Sequence, residues 1–178
     1  SAPLYFVTAS PPQLASTLEK RLEIDGVDHD GLVLKDQWRL ARRWEWDQLR
    51  VQAAFKLAAL LQIAGDVPPS SRLVLFGDDT EQDALVFSVL ADASAGRIST
   101  EDVGRILTAA KVRDGYVDAV LRRLEDFPRR ELVAAIYVRL ARRRDGSSLE
   151  GFGGHVYGWT SPTGVAEDLH ARGWLEPA

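Results

Sequence analysis

The run "RLVLFG" (72–77) is apolar along most of its length, too short for a helix of ordinary size, and stopped by a glycine. Continuous apolar runs of this kind suit strands covered on both faces, as in parallel sheets. Three further runs share the character: "LYFVTAS" (4–10), "GLVLKD" (31–36) and "ELVAAIYVRL" (131–140). "HVYGW" (155–159) is a candidate fifth strand. Helical patterns separate these runs, and strands alternating with helices predict an α/β domain with a parallel sheet.

The first helix is expected to open at "SPPQ", with Ser10 as N-cap, Pro11 at the first helical position and Gln13 completing a capping box, and to stop near Gly26. The second spans about 47–64, where Leu49, Ala53, Leu57, Leu60, Leu61 and Ala64 make an apolar stripe at helical spacing before Pro68 and Pro69. A third spans about 80–92. Residues 99–126 read as two more helices forming an insertion, with Val117, Val120, Leu121 and Leu124 as the stripe of the second. A last helix opens at Ser161-Pro162 and closes at Gly173. No internal repeat is visible, and 178 residues suit one domain with a sizeable core.

Net charge is −4, which gives no basic footprint for nucleic acid. The absence of cysteine excludes disulfides, thiolate metal sites and cysteine nucleophiles, and fits a reducing, cytoplasmic setting. No apolar run reaches the roughly 18 residues of a spanning helix, and no signal peptide is visible. Ser1 stands almost directly before a core strand, so it reads as a boundary rather than a natural start.

The chemistry concentrates at "VLFGDDTEQD" (74–83), where Asp78, Asp79, Glu81 and Asp83 follow a strand end. Ligands of open α/β sheets bind beyond the carboxyl ends of the strands, and hard cations such as Mg²⁺ take carboxylate oxygens. The same residues fit a helix start, since Thr80 to Asp83 is an [ST]-x-x-[DE] pattern and acids favour helix N-termini. Thr8 and Ser10 place hydroxyls at another strand end, where hydroxyls and backbone N–H groups can hold a phosphate. Lys56 is a lone charge in "QAAFKLAALL"; it either neutralises a phosphoryl group or carboxylate, or snorkels from a helix face.

The order of these features (hydroxyl strand end, lysine, acidic strand end) resembles that of the haloacid dehalogenase superfamily. The chain is similar to the catalytic domain of the actin-patch-associated phosphatidate phosphatase family and its bacterial relatives. Its "VTASPPQL", "LVLKD", "FKLAAL", "LVLFGDDTEQD" and "AIYVR" follow the order of that family's motifs, and "VAEDLHARGWL" is similar to the closing helix of bacterial members. Phe55 stands where the family has histidine, Lys35 where it has arginine, and Asp79 where it has serine. The family's first motif, an Asp-x-Asp at a strand end, is not found; "DHD" (28–30) lies before the second strand.

The resemblance implies a three-layer, Rossmann-type haloacid-dehalogenase fold over residues 1–178. The first strand and the nucleophilic aspartate are expected upstream of Ser1 or on a second chain completing the sheet. It implies an Mg²⁺-dependent phosphatase acting on phosphatidate or another phosphate ester through an aspartyl-phosphate. Thr8, Lys56 and Asp78 would be catalytic; Thr8, Ser10 and Lys56 would hold the substrate; and Asp78, Asp79 and Asp83 would hold the metal. The alternative is a non-catalytic binding or scaffold domain of the same fold. "WRLARRWEW" (38–46) mixes three tryptophans with three arginines, which suits either a peripheral membrane contact or a surface connection with tryptophans packed inward. "ARRRD" (141–145) is a solvated basic run or an anion contact. His29, His155 and His170 lack metal-ligand spacing, and "GFGGHVYG" lacks the strand-first context of a dinucleotide loop.

Overall fold

The computed structural model describes residues 2–8, 10–34, 48–80, 82–141 and 145–175. By its contacts the chain divides into two compact units, one of residues 1–66 with 100–127 and the other of residues 67–99 with 128–178. Both are parallel α/β assemblies of Rossmann type, as the alternation of strands and helices predicts. The pairing falls into a two-stranded sheet and a three-stranded sheet.

In the first unit, β1 (Tyr5–Thr8) pairs in parallel with β2 (Gly31–Leu34), in a register that sets Thr8 opposite Leu34. A 3-10 turn (Pro12–Leu14) leads into α1 (Ala15–Ile24). The expected cap is not made. Pro11 stands at the N-cap of the turn without a side-chain cap bond, and Thr8 Oγ1 donates to Ser10 Oγ at 2.9 Å. Gly26, at φ 68°, ends the helix region as expected. α2 (Gln48–Asp66) is buried over far more than a stripe: Ala53 to Leu61 are all buried, Lys56 among them. α4 (Thr100–Ala109) and α5 (Asp114–Glu125) are the two helices expected over 99–126; α5 packs on α2 and on α4, so this segment belongs to the body of the first unit. Val117 and Val120 point into that packing, as their spacing predicts.

In the second unit, β3 (Leu73–Asp78), β4 (Val133–Arg139) and β5 (Val156–Trp159) form a parallel sheet with β4 in the middle. Central position decides burial: Ile136, Tyr137 and Val138 of β4 are at most 2% exposed, whereas Phe76 of β3 is 50% exposed. "RLVLFG" and "LYFVTAS" were expected to be covered on both faces. Instead β3 and β1 are edge strands among the described residues, and Leu4 and Tyr5 are also exposed.

α3 (Asp83–Ala95) packs on β3 and β4 with apolar residues on almost every side. It stops at Gly96, whose φ of 75° is left-handed and whose N–H returns to the Ala93 and Asp92 carbonyls. α6 (Pro162–Ala171) covers the other part of the sheet; Ser161 caps it by accepting the Thr163 N–H at 3.3 Å, as its sequence predicts. Among the described residues no helix is long and apolar enough to cross a membrane. The tryptophan–arginine segment 38–46, Lys35 and residues 142–144 of the basic run lie outside the described residues.

Candidate active site

Three aspartates of the second unit, Asp78, Asp79 and Asp83, gather where β3 ends. Asp78 is the last residue of that strand, and its Oδ1 accepts both the Thr80 N–H (2.8 Å) and the Thr80 hydroxyl (2.5 Å). This side chain-to-backbone turn fixes the carboxylate over the start of the loop. It also corrects the helix-start reading of Thr80: its hydroxyl serves Asp78, Gln82 occupies the N-cap of α3, and no side chain caps the helix.

Asp83 opens α3, 6% exposed, and its Oδ2 accepts the Asp78 N–H at 3.2 Å. A carboxylate in the first turn is also favoured by the helix dipole. This arrangement requires Gly77, because a Cβ there would come within 2.5 Å of both Asp83 Cβ and Oδ2. Gly77→Ala is therefore expected to push Asp83 out of place and lower stability by about 1–3 kcal/mol, as overpacking does. A thermal melt checks this, and an unchanged midpoint would remove the steric account.

Asp79 has a third task. Its N–H donates to the Arg139 carbonyl at 3.0 Å, and its Oδ1 accepts the Ala141 N–H at 2.8 Å. Both bonds tie the chain beyond β3 to the end of β4 and the residues that follow it. The three aspartates are thus brought to one strand end, each with a carboxylate oxygen engaged by backbone. Among the described residues no group of three acidic or histidine side chains converges as a metal cage. Hard oxygen donors are nevertheless what Mg²⁺ takes, and Mg²⁺ often uses one or two protein carboxylates together with substrate phosphate. Asp78 fits that demand.

The first unit holds the other predicted residues. Thr8 and Ser10 come together at the carboxyl end of β1, where Thr8 Oγ1 also accepts the Ser10 N–H at 3.2 Å. Lys56 sits on α2 at 7% exposure, so a lysine snorkelling from the surface does not describe it. "DHD" is structural in its last member: Asp30 Oδ2 accepts the Leu4 N–H at 2.7 Å, and the Asp30 N–H donates to the Leu4 carbonyl at 2.8 Å. These bonds align the starts of β1 and β2.

Sequence reasoning missed two residues here. Thr80 carried a readable signal, an aspartate two positions before a threonine. Arg139 closes "AIYVR", one of the runs that follow the family's motif order, but the motif gave it no role. In the sheet, Asp78 pairs in register with Arg139, and Arg139 with Trp159.

An open parallel α/β chain with hydroxyl and carboxylate residues at the carboxyl ends of its strands belongs to the class that binds ligands at those ends. The family model described as phosphatidate phosphatase APP1, catalytic domain, matches residues 1–100, more than half of the chain. The chain belongs to this family, and its domain is of the phosphatidate-phosphatase type. The matched stretch contains Thr8, Ser10, Lys56, Asp78, Asp79 and Asp83. No curated protein and no solved structure matches the chain significantly.

Proposed function

We propose that the chain is part of an Mg²⁺-dependent phosphatidate phosphatase of the haloacid dehalogenase type, with residues 1–178 forming one domain. The observation that carries this reading is the family match over residues 1–100. It is supported by the fixed carboxylate of Asp78 at a strand end.

Asp78 would hold the metal directly or through water, while Asp79 and Asp83 stand close by and brace the loop. Bound there, Mg²⁺ supplies positive charge to the phosphoryl oxygens and the leaving oxygen. Thr8 and Ser10 would bind a phosphoryl oxygen through hydroxyl and backbone N–H, and Lys56 would offset negative charge around the nucleophile. The nucleophile would be an aspartate outside this chain, carried on an upstream segment or a second chain. Its strand would pair at an edge such as that of β1 or β3, where Leu4, Tyr5 and Phe76 are exposed. Its carboxylate oxygen would bond to phosphorus as the P–O bond to the diacylglycerol oxygen breaks and that alcohol takes up a proton. Water would then cleave the acyl-phosphate, releasing inorganic phosphate and restoring the carboxylate.

The test is phosphate release by the full-length protein from phosphatidate vesicles and from p-nitrophenyl phosphate, with and without EDTA. Release from phosphatidate is expected to fall to background on chelation and to return with Mg²⁺. Turnover of the small ester alone would assign a soluble substrate and remove the peripheral membrane contact from this reading. No turnover of either would leave the second reading, a binding or scaffold domain of the same fold. A cytoplasmic location belongs to the same proposal, and cell fractionation checks it.

A further inference from the structure

The three-stranded sheet presents one face as two successive rows. In the first, Phe76, Tyr137 and Tyr157 are register partners, and their rings meet at 5.3 Å (Phe76–Tyr137) and 5.6 Å (Tyr137–Tyr157) between centroids. Side chains alternate along a strand with period two. The partners two residues on, Asp78, Arg139 and Trp159, therefore continue the same face at the carboxyl ends of the strands.

α6 covers the Tyr137 and Tyr157 part of the aromatic row and leaves Phe76 exposed. The Tyr137 hydroxyl donates to Asp168, and the Arg172 guanidinium lies 4.9 Å from the Tyr157 ring centroid. Trp159 packs against the same cluster. Arg139 does not join it: the residue is exposed, and among the described residues its guanidinium has no hydrogen-bond or ion-pair partner.

Its backbone, by contrast, is fastened on both sides. The Arg139 carbonyl accepts the Asp79 N–H at 3.0 Å, and the next residue's N–H, that of Leu140, donates to the Trp159 carbonyl at 2.8 Å. The Ala141 N–H is held by Asp79 Oδ1 at 2.8 Å. A guanidinium on a fixed base, one strand away from Asp78 and on its face, is placed for an anion that a cation at Asp78 would also attract. Arginine presents a planar fork of donors that matches phosphate oxygens.

We propose that Arg139 is a substrate-binding residue of this site, its guanidinium taking the non-bridging oxygens of a phosphomonoester beside Asp78. Arg139 lies outside the stretch matched by the family model. The inference rests on the phosphatase reading for its substrate, and on the sheet geometry alone for its anion.

The test uses full-length protein with Mg²⁺, comparing wild type with Arg139→Ala and Arg139→Lys. KM for phosphatidate and the inhibition constant of inorganic phosphate are measured. Arg139→Ala is expected to raise both by about 10- to 100-fold, the range set by losing charge-assisted hydrogen bonds. Arg139→Lys is expected to fall between, since it keeps the charge and loses the fork. Arg139→Gln replaces the alanine variant if that one fails to fold. An active wild type with both constants within twofold in Arg139→Ala overturns the inference and leaves the phosphatase reading standing. So does a change in KM with an unmoved phosphate constant, which would mean that Arg139 reads the lipid. If the wild type is inactive, calorimetry with inorganic phosphate decides. Binding that Arg139→Ala abolishes upholds the anion site; equal binding in both, or none in wild type, overturns it.

Discussion

Asp78→Asn is expected to lower kcat/KM of the full-length protein on phosphatidate by about 10²–10³-fold, the scale of losing one preorganised electrostatic contact in a polar transition state. The substitution isolates charge from shape. Asparagine keeps an Oδ1 acceptor for the Thr80 N–H and hydroxyl, so the turn after β3 persists. The melting midpoint should then stay near that of wild type. What disappears is the negative charge that would hold Mg²⁺, and raising the Mg²⁺ concentration should recover part of the rate. An Asp78→Asn enzyme with wild-type kinetics would remove Asp78 from the metal site and with it the proposed geometry.

The second large effect concerns stability at alkaline pH. Tyr137 is 2% exposed and its hydroxyl donates to Asp168, which also accepts Arg172 Nε at 2.8 Å. Burial, and then the bond to Asp168, push the phenol up from 10.0 to about 12. The Arg172 hydrogen bond, followed by that from Tyr137, holds the Asp168 carboxyl below its ordinary value.

A raised phenol means that the unfolded chain releases its proton first. The stability that Tyr137 contributes is therefore fully present below pH 10 and is lost as pH rises from 10 to about 12. The two-unit window corresponds to about 2–3 kcal/mol. Tyr137→Phe removes this loss. Denaturant unfolding at pH 9 and 12 should show a smaller alkaline decline in the variant, although at pH 9 the variant is less stable by about 0.5–1.5 kcal/mol for the missing hydrogen bond. Parallel declines in both proteins would mean that the phenol is not held as described.

The elements themselves were legible in sequence because their signals are local. Apolar runs bounded by glycine and polar residues located β1 to β5, Ser161-Pro162 located the start of α6, and Gly26 and Gly173 sit at turns that need positive φ. The acids at 78–83 and the hydroxyls of Thr8 and Ser10 were visible as chemistry at strand ends.

Two kinds of reading failed. The capping box at Ser10 and the helix-start reading of Thr80 were not borne out, because Ser, Thr and Asp bond equally well to near neighbours. Thr8 took Ser10, and Asp78 took Thr80, before either could serve a helix. Burial was misjudged for "LYFVTAS" and "RLVLFG", since an apolar run has the same composition at an edge as at the centre of a sheet.

The sequence by itself determined which segments become strands and helices, that the strands run parallel, and which residues could bind phosphate or a cation. Those properties follow from backbone sterics, hydrophobic periodicity and side-chain chemistry over a few residues. Only the tertiary structure decided that β4 is central and β3 an edge, that Asp83 lies over Gly77, and that Arg139 stands in register with Asp78. Each of these is a pairing between positions fixed by the register of whole strands or by the packing of a helix on a sheet, and no local pattern in the chain encodes it.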